Sequence, residues 1–120
     1  MDLPQRVADE LGIARPQAIQ GLSAVFMSVR MSVDPSLFSL VTAAIPDVED
    51  WLRSIELAGR RTGEIVALAG PEALNQQLKT AGFNQQQAQR LGATVAKALG
   101  EVLEEDVAEK ILSRVPLLKG

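Results

Sequence analysis

Cysteine and histidine are both missing from this chain of 120 residues. Without cysteine there is no disulfide, no zinc–thiolate site and no thiolate nucleophile. Without histidine the commonest general base and the commonest transition-metal ligand are gone. Triads that need an imidazole are impossible, so only carboxylates, lysine and serine are left for catalysis. Aromatic residues are scarce too, with three Phe, one Trp and no Tyr. Leu, Val, Ile and Ala must fill the core, which suits closely approaching helices better than a sandwich of sheets. No apolar run nears the roughly 20 residues that a membrane-spanning helix needs. Met1 to Gly12 carries charges throughout and has no apolar stretch of the signal-peptide kind. The expectation is a cytoplasmic chain without a membrane span. Net charge is −3 and the isoelectric point is near 4.9. That is the wrong sign for a phosphate backbone, so nucleic acid is not an expected partner.

What is present is enough for one domain. Apolar residues make up 47% of the chain, and a chain of this length buries about two-thirds of its unfolded surface. A core without staples is therefore expected over 1–120. Gly12, Pro16, Pro35, Pro46, Gly70-Pro71, Gly82, Gly100 and Pro116 cut the sequence into short pieces with helical periodicity. The pattern predicts helices over Leu3 to Leu11, Arg15 to Val33, Pro35 to Ala44, Pro71 to Thr80, Gln85 to Gly100 and Glu104 to Arg114. Asp2 and Asn84 are placed to cap, the latter with Gln87 as a capping box, and Asp34-Pro35 reads as N-cap and N1. In the third helix Leu37, Leu40, Val41 and Ala44 are expected to be the buried face. The middle holds Val48, Leu52 and Ile55 on a further amphipathic helix with Trp51, and a short helical turn is expected between Thr62 and Gly70.

A shift of seventy residues lays Gly12 on Gly82, Gln17 on Gln87, Ala18 on Ala88, Val25 on Val95 and Pro46 on Pro116. Ile13, Val29, Val33, Leu37, Val41 and Ile45 fall on Phe83, Leu99, Leu103, Val107, Ile111 and Val115 without a gap. The expected architecture is all-α: a compact bundle of six to eight short helices. Two similar three-helix units, about 3–46 and 73–116, are joined by a helical segment over 47–70.

The stretch Leu11-Gly12-Ile13, Gln17-Ala18, Gly21-Leu22, then Asp34, Leu37-Phe38 and Ala44-Ile45-Pro46 resembles the bacterial VcgC/VcgE-type family of unknown function. Ala81-Gly82-Phe83 with Gln86-Gln87-Ala88 is similar to the opening of that family's second half. The resemblance covers about Val7 to Val115. Members often have a Gly/Leu-rich middle and carry export signals, and both features differ here. The resemblance implies a helical fold. It implies no activity and brings no functional residue with it.

Candidate sites are few. Glu101, Glu104, Glu105, Asp106 and Glu109 lack the alternating ligands and turn glycine of a calcium loop, and acids at a helix start suit its dipole. Ala88, Gly92 and Val95 have helix-turn-helix spacing within 84–100, yet the second helix of such a motif would have only Lys97 to offer phosphates. Arg60 and Arg61, with Arg53, form a basic knot that Glu56 and Glu64 offset. Met27 and Met31 suit the core or its rim. Asp47, Glu49 and Asp50 cap a helix as readily as they pair for catalysis. No S-x-x-K pair, framed serine or phosphate-cradling glycine loop occurs. The leading expectation is a non-enzymatic module without cofactor or metal, working by protein–protein interaction or self-association. A lone Trp on an apolar helix face reads first as core, yet Trp is also favoured at binding hot spots, and Trp51, Leu52, Ile55, Arg60 and Arg61 mark the module's expected surface. A small-molecule or lipid-binding bundle with a cavity between the units is the alternative.

Overall fold

The computed structural model describes residues 2–53, 71–115 and 118, with the backbone alone described for 71–75. Seven helices and no strand are found among them. They are α1 Leu3–Leu11, α2 Arg15–Ser32, α3 Pro35–Ala44, α4 described over 47–53, α5 Pro71–Thr80, α6 Gln85–Val102 and α7 Glu105–Arg114. The chain is an all-α bundle with principal extents of 38 × 31 × 24 Å. The expected short turn between Thr62 and Gly70 lies outside the described residues, as does Pro116.

Local chemistry sets the helix ends. The Asp2 carboxylate accepts from the Gln5 backbone N–H at 3.2 Å, and Pro4 sits in the first turn of α1. Asn84 and Gln87 exchange backbone–side-chain bonds of 2.8 and 3.0 Å, closing a capping box on α6. Asp34 occupies the N-cap of α3, but its side chain makes no cap bond. Its backbone carbonyl instead accepts from the N–H groups of Leu37 and Phe38. Gly12 and Gly82 close α1 and α5 in the left-handed region, at φ +66° and +92°. There the Ile13 N–H reaches the Ala8 carbonyl at 3.1 Å, and the Phe83 N–H reaches that of Leu78 at 2.9 Å. These are the six-residue bonds of a Schellman turn, which glycine allows because it has no Cβ.

The element boundaries recur at an interval of seventy residues. α2 and α6 start and stop seventy apart, and so do α3 and α7. The short links between them match as well, with φ, ψ of −120°, 163° at Val33 and −113°, 158° at Leu103.

The halves interlock. α1 packs on α2 and also on α6, α5 packs back onto α2, and α2 meets α6 and α7. Each half thus lends its first helix to the long helix of the other. A single cluster of buried side chains results, running from Leu3 and Val7 through Leu22, Val25, Phe26 and Val29 to Leu91, Val95, Leu99 and Ile111. Gly21 marks one close approach: a Cβ there would lie 2.5 Å from Phe83 Cζ and 3.0 Å from Leu91 Cδ2. An Arg6–Glu101 ion pair, at 2.7 and 3.3 Å, ties α1 to the end of α6 from outside.

Candidate functional site

Trp51 and Leu52 belong to the core rather than to a surface. Trp51 is 7% exposed and its ring lies 5.8 Å from that of Phe26, while Leu52 is 4% exposed. The apolar stripe of α4 turns inward because Phe26 offers it an aromatic partner. Ile55, Arg60 and Arg61 lie outside the described residues. Arg53 is exposed, with Asp50 3.9 Å away.

The helix-turn-helix geometry is absent from 84–100. α6 runs unbroken through Gly92, which is buried, so that glycine turns nothing. The acids divide between roles. Glu101 is held by Arg6, whose guanidinium keeps the Glu101 carboxyl below its ordinary range. Glu105 and Asp106 occupy the first turn of α7, where the helix dipole favours them. No three carboxylates converge among the described residues. An open groove of about 740 Å³ runs along α7 between Glu105, Glu109, Leu112 and Ser113. Its described walls all come from the second half, so it is not a cavity between the halves.

The first half carries a surface of a different kind. Among the described residues the exposed large apolar side chains are Met31 at 51% and Leu40 at 45%. Met31 lies in the last turn of α2, and Leu40 lies on α3. Leu40 was expected to be buried. The inward stripe of α3 is instead Leu37, Phe38, Val41 and Ala44, which turns Leu40 outward with exposed Ser36, Ser39 and Ala43. α3 contains no charged residue at all. Two of its three hydroxyls are turned back on their own helix, with Ser39 Oγ donating to the Pro35 carbonyl at 2.9 Å and Thr42 Oγ1 to that of Ser39 at 3.1 Å.

The positions seventy residues on are an internal control. Met31 stands opposite Glu101, Ser36 opposite Asp106, Ser39 opposite Glu109 and Leu40 opposite Lys110. All four second-half residues are exposed. The same backbone positions thus accept charge in one half and lack it in the other, so folding alone does not require the first half to be uncharged there. The counterpart Lys110 was the sequence signal that could have placed Leu40 outside.

The residues that carry the family resemblance are turn and contact positions. Gly12 is the left-handed cap, Gly21 faces Phe83, and Ala18 and Phe83 are buried. None lies on the exposed stripe of α3. No described helix is long and apolar enough to cross a membrane. Comparison of the chain with family models, with curated proteins and with solved structures gives no significant match.

Proposed function

We propose that this chain is a non-enzymatic helical module that works by binding protein through the outer face of α3, next to the end of α2. One observation carries the reading. Met31, Ser36, Ser39 and Leu40 are apolar or uncharged at surface positions where the second half has Glu101, Asp106, Glu109 and Lys110. A solvated surface has no need of such a stripe, whereas a contact surface depletes charge and keeps apolar side chains.

We also read the two halves as descendants of one unit by duplication, and as a member of the VcgC/VcgE-type family. Matched helix ends support the former, and the turn glycines and packing residues support the latter. On this reading one copy kept a charged third helix and the other lost its charge to a contact role.

The test is photo-crosslinking in cells. A photoreactive residue replaces Leu40 in one variant and Lys110 in another. The expected result is protein adducts from position 40 and few from position 110. Equal yields from the two positions would sink the assignment of the surface.

A further inference from the structure

We infer that the groove along α7 is a second binding surface, which takes an amphipathic helix of a partner protein whose apolar side chain is flanked by two Lys or Arg one turn apart. The groove belongs to the other half from the α3 face, and Lys110 is not among its described walls, so the two readings fail separately. Gly100 is the first observation. It lies inside α6, which continues to Val102, and its φ is not positive. A Cβ there would meet nothing within 4 Å among the described residues. Neither a turn nor a close approach accounts for glycine at this place, and glycine is a poor helix residue. The first half has Arg30 at the matching position, and Phe38 where the second half has Ala108. Gly100 forms one wall of the groove of about 740 Å³, and Ala108, Leu112 and Leu118 give it an apolar floor. The groove is thus roomy because two side chains are small where the same backbone positions carry large ones in the first half.

Charge is the second observation, and it sets the chemistry of the occupant. Glu105 and Glu109 stand one turn apart on the edge of the groove, and both are exposed. The dipole of α7 favours Glu105 in the first turn, but its effect has faded by Glu109. Three and four residues before Glu109 are Asp106 and Glu105, and the same distances after it are Leu112 and Ser113. Its own helix therefore offers repulsion and no cation. Neither Glu105 nor Glu109 has an ion pair among the described residues. Arg6 and Lys97 act on Glu101 instead. Cations on either side of an apolar side chain complement this arrangement. The groove is open, so it would not enclose a small molecule as a ligand pocket does. A helix needs only to lay one face into it. Lys or Arg four residues apart on that helix match the spacing of Glu105 and Glu109.

The test is fluorescence anisotropy of a labelled amphipathic peptide of leucine and lysine, about 14 residues or four helical turns long, titrated with the full chain. A peptide with glutamate in place of lysine is the control. The leucine–lysine peptide is expected to bind with a dissociation constant of roughly 10–100 μM, and the control at least about tenfold more weakly. Gly100→Leu fills the groove without changing charge. It should weaken binding about tenfold or more while urea unfolding shows a chain at least as stable as the parent. Glu109→Lys should weaken binding likewise. Glu49→Lys, an equal change of charge on α4, and Leu40→Lys on α3 should each weaken it less than about threefold. Binding that survives Gly100→Leu, or that Glu49→Lys weakens as much as Glu109→Lys, would overturn the groove as the site and leave only general attraction between opposite charges. Equal binding of the two peptides, or none up to about 1 mM, would overturn a cationic helix as the occupant.

Discussion

α3 and α7 occupy matching positions in the two halves and have almost opposite surfaces. α3 has no charged residue, whereas α7 has five in the same ten positions: Glu105, Asp106, Glu109, Lys110 and Arg114. Their inward stripes agree far better, with Leu37 and Val107, Phe38 and Ala108, and Val41 and Ile111 aligned. Packing explains the agreement, because Phe38 and Val41 from one stripe and Val107 and Ile111 from the other close onto one core. It does not explain the difference outside. A residue type conserved between halves reports the fold. One that changes from charged to apolar at an exposed position reports something the fold does not ask for.

The core contains its own unequal pairs, and these give the sharpest ways to break the comparison. Phe26 is fully buried, while its counterpart Ala96 is small and half-buried. Trimming Phe26 to alanine gives both halves the same residue, but only the second half is packed for it. The Phe26→Ala change should cost about 3–5 kcal/mol by loss of burial and a residual cavity. The Phe26–Trp51 ring contact goes with it. Urea unfolding followed by Trp51 fluorescence and by circular dichroism measures this. A loss below about 1 kcal/mol would mean that the two halves pack interchangeably.

Gly21 and Leu91 are the next unequal pair. They are seventy apart and in contact range across the α2–α6 crossing, since a Cβ on Gly21 would meet Leu91 and Phe83. Two effects oppose each other in Gly21→Ala. Alanine favours an interior helix position by up to about 1 kcal/mol. Overpacking a tight core costs about 1–3 kcal/mol. Phe83 is 4% exposed, so its ring has little room to retreat, and overpacking should win. The expected net loss is about 1–2 kcal/mol by urea unfolding. Phe83→Leu in the same chain should recover part of it. A stabilised Gly21→Ala would show that the approach is loose.

Much of the fold was legible because its signals are local. Pro35, Asn84 with Gln87, and Gly12 and Gly82 each act within a turn of their own position, and helix ends followed from them to within a residue or two. Faces were less legible. Leu37, Leu40, Val41 and Ala44 have helical spacing, and so do Leu37, Phe38, Val41 and Ala44. Choosing between them depends on where α2 lies, which is a long-range fact. Trp51 fits either a buried or an exposed place until Phe26 is seen beside it. The candidate surface was the least legible part, because an exposed apolar residue gives no pattern that differs from a buried one. Only comparison with the other half exposes it.

The turn glycines form a pair matched in role and unequal in surroundings. A Cβ on Gly12 would meet nothing within 4 Å, whereas one on Gly82 would lie 3.1 Å from Gln17 Nε2. Gln17 Nε2 donates to the Ala81 carbonyl at 3.2 Å, a bond between the halves. Gly12→Ala should cost about 1 kcal/mol for the left-handed backbone alone. Gly82→Ala should cost more, since its φ of +92° is farther from what alanine accepts and Gln17 must also move. Equal losses in urea unfolding would mean that neither the wider φ nor the Gln17 contact adds to the cost at Gly82.

The smallest expected effect concerns the ion pairs that hold the first half to itself and to the second. Arg15 lowers the Asp2 carboxyl within the first half, chiefly by hydrogen bonding, and Arg6 does the same for Glu101 across the halves. Both carboxyls bind protons less readily folded than unfolded. Their contribution to stability is therefore fully present above their ordinary values of 3.8 and 4.5. It fades as pH falls through the lowered folded values. Both pairs are exposed, and such pairs contribute little and are screened by salt. In Glu101→Gln, stability at neutral pH should drop slightly, and the gap to the parent chain should close as pH falls below the ordinary glutamate range. One molar sodium chloride should narrow the same gap at neutral pH. A gap that stays constant from pH 7 to pH 2 would show that Glu101 acts by packing, and that the halves are joined by their shared core alone.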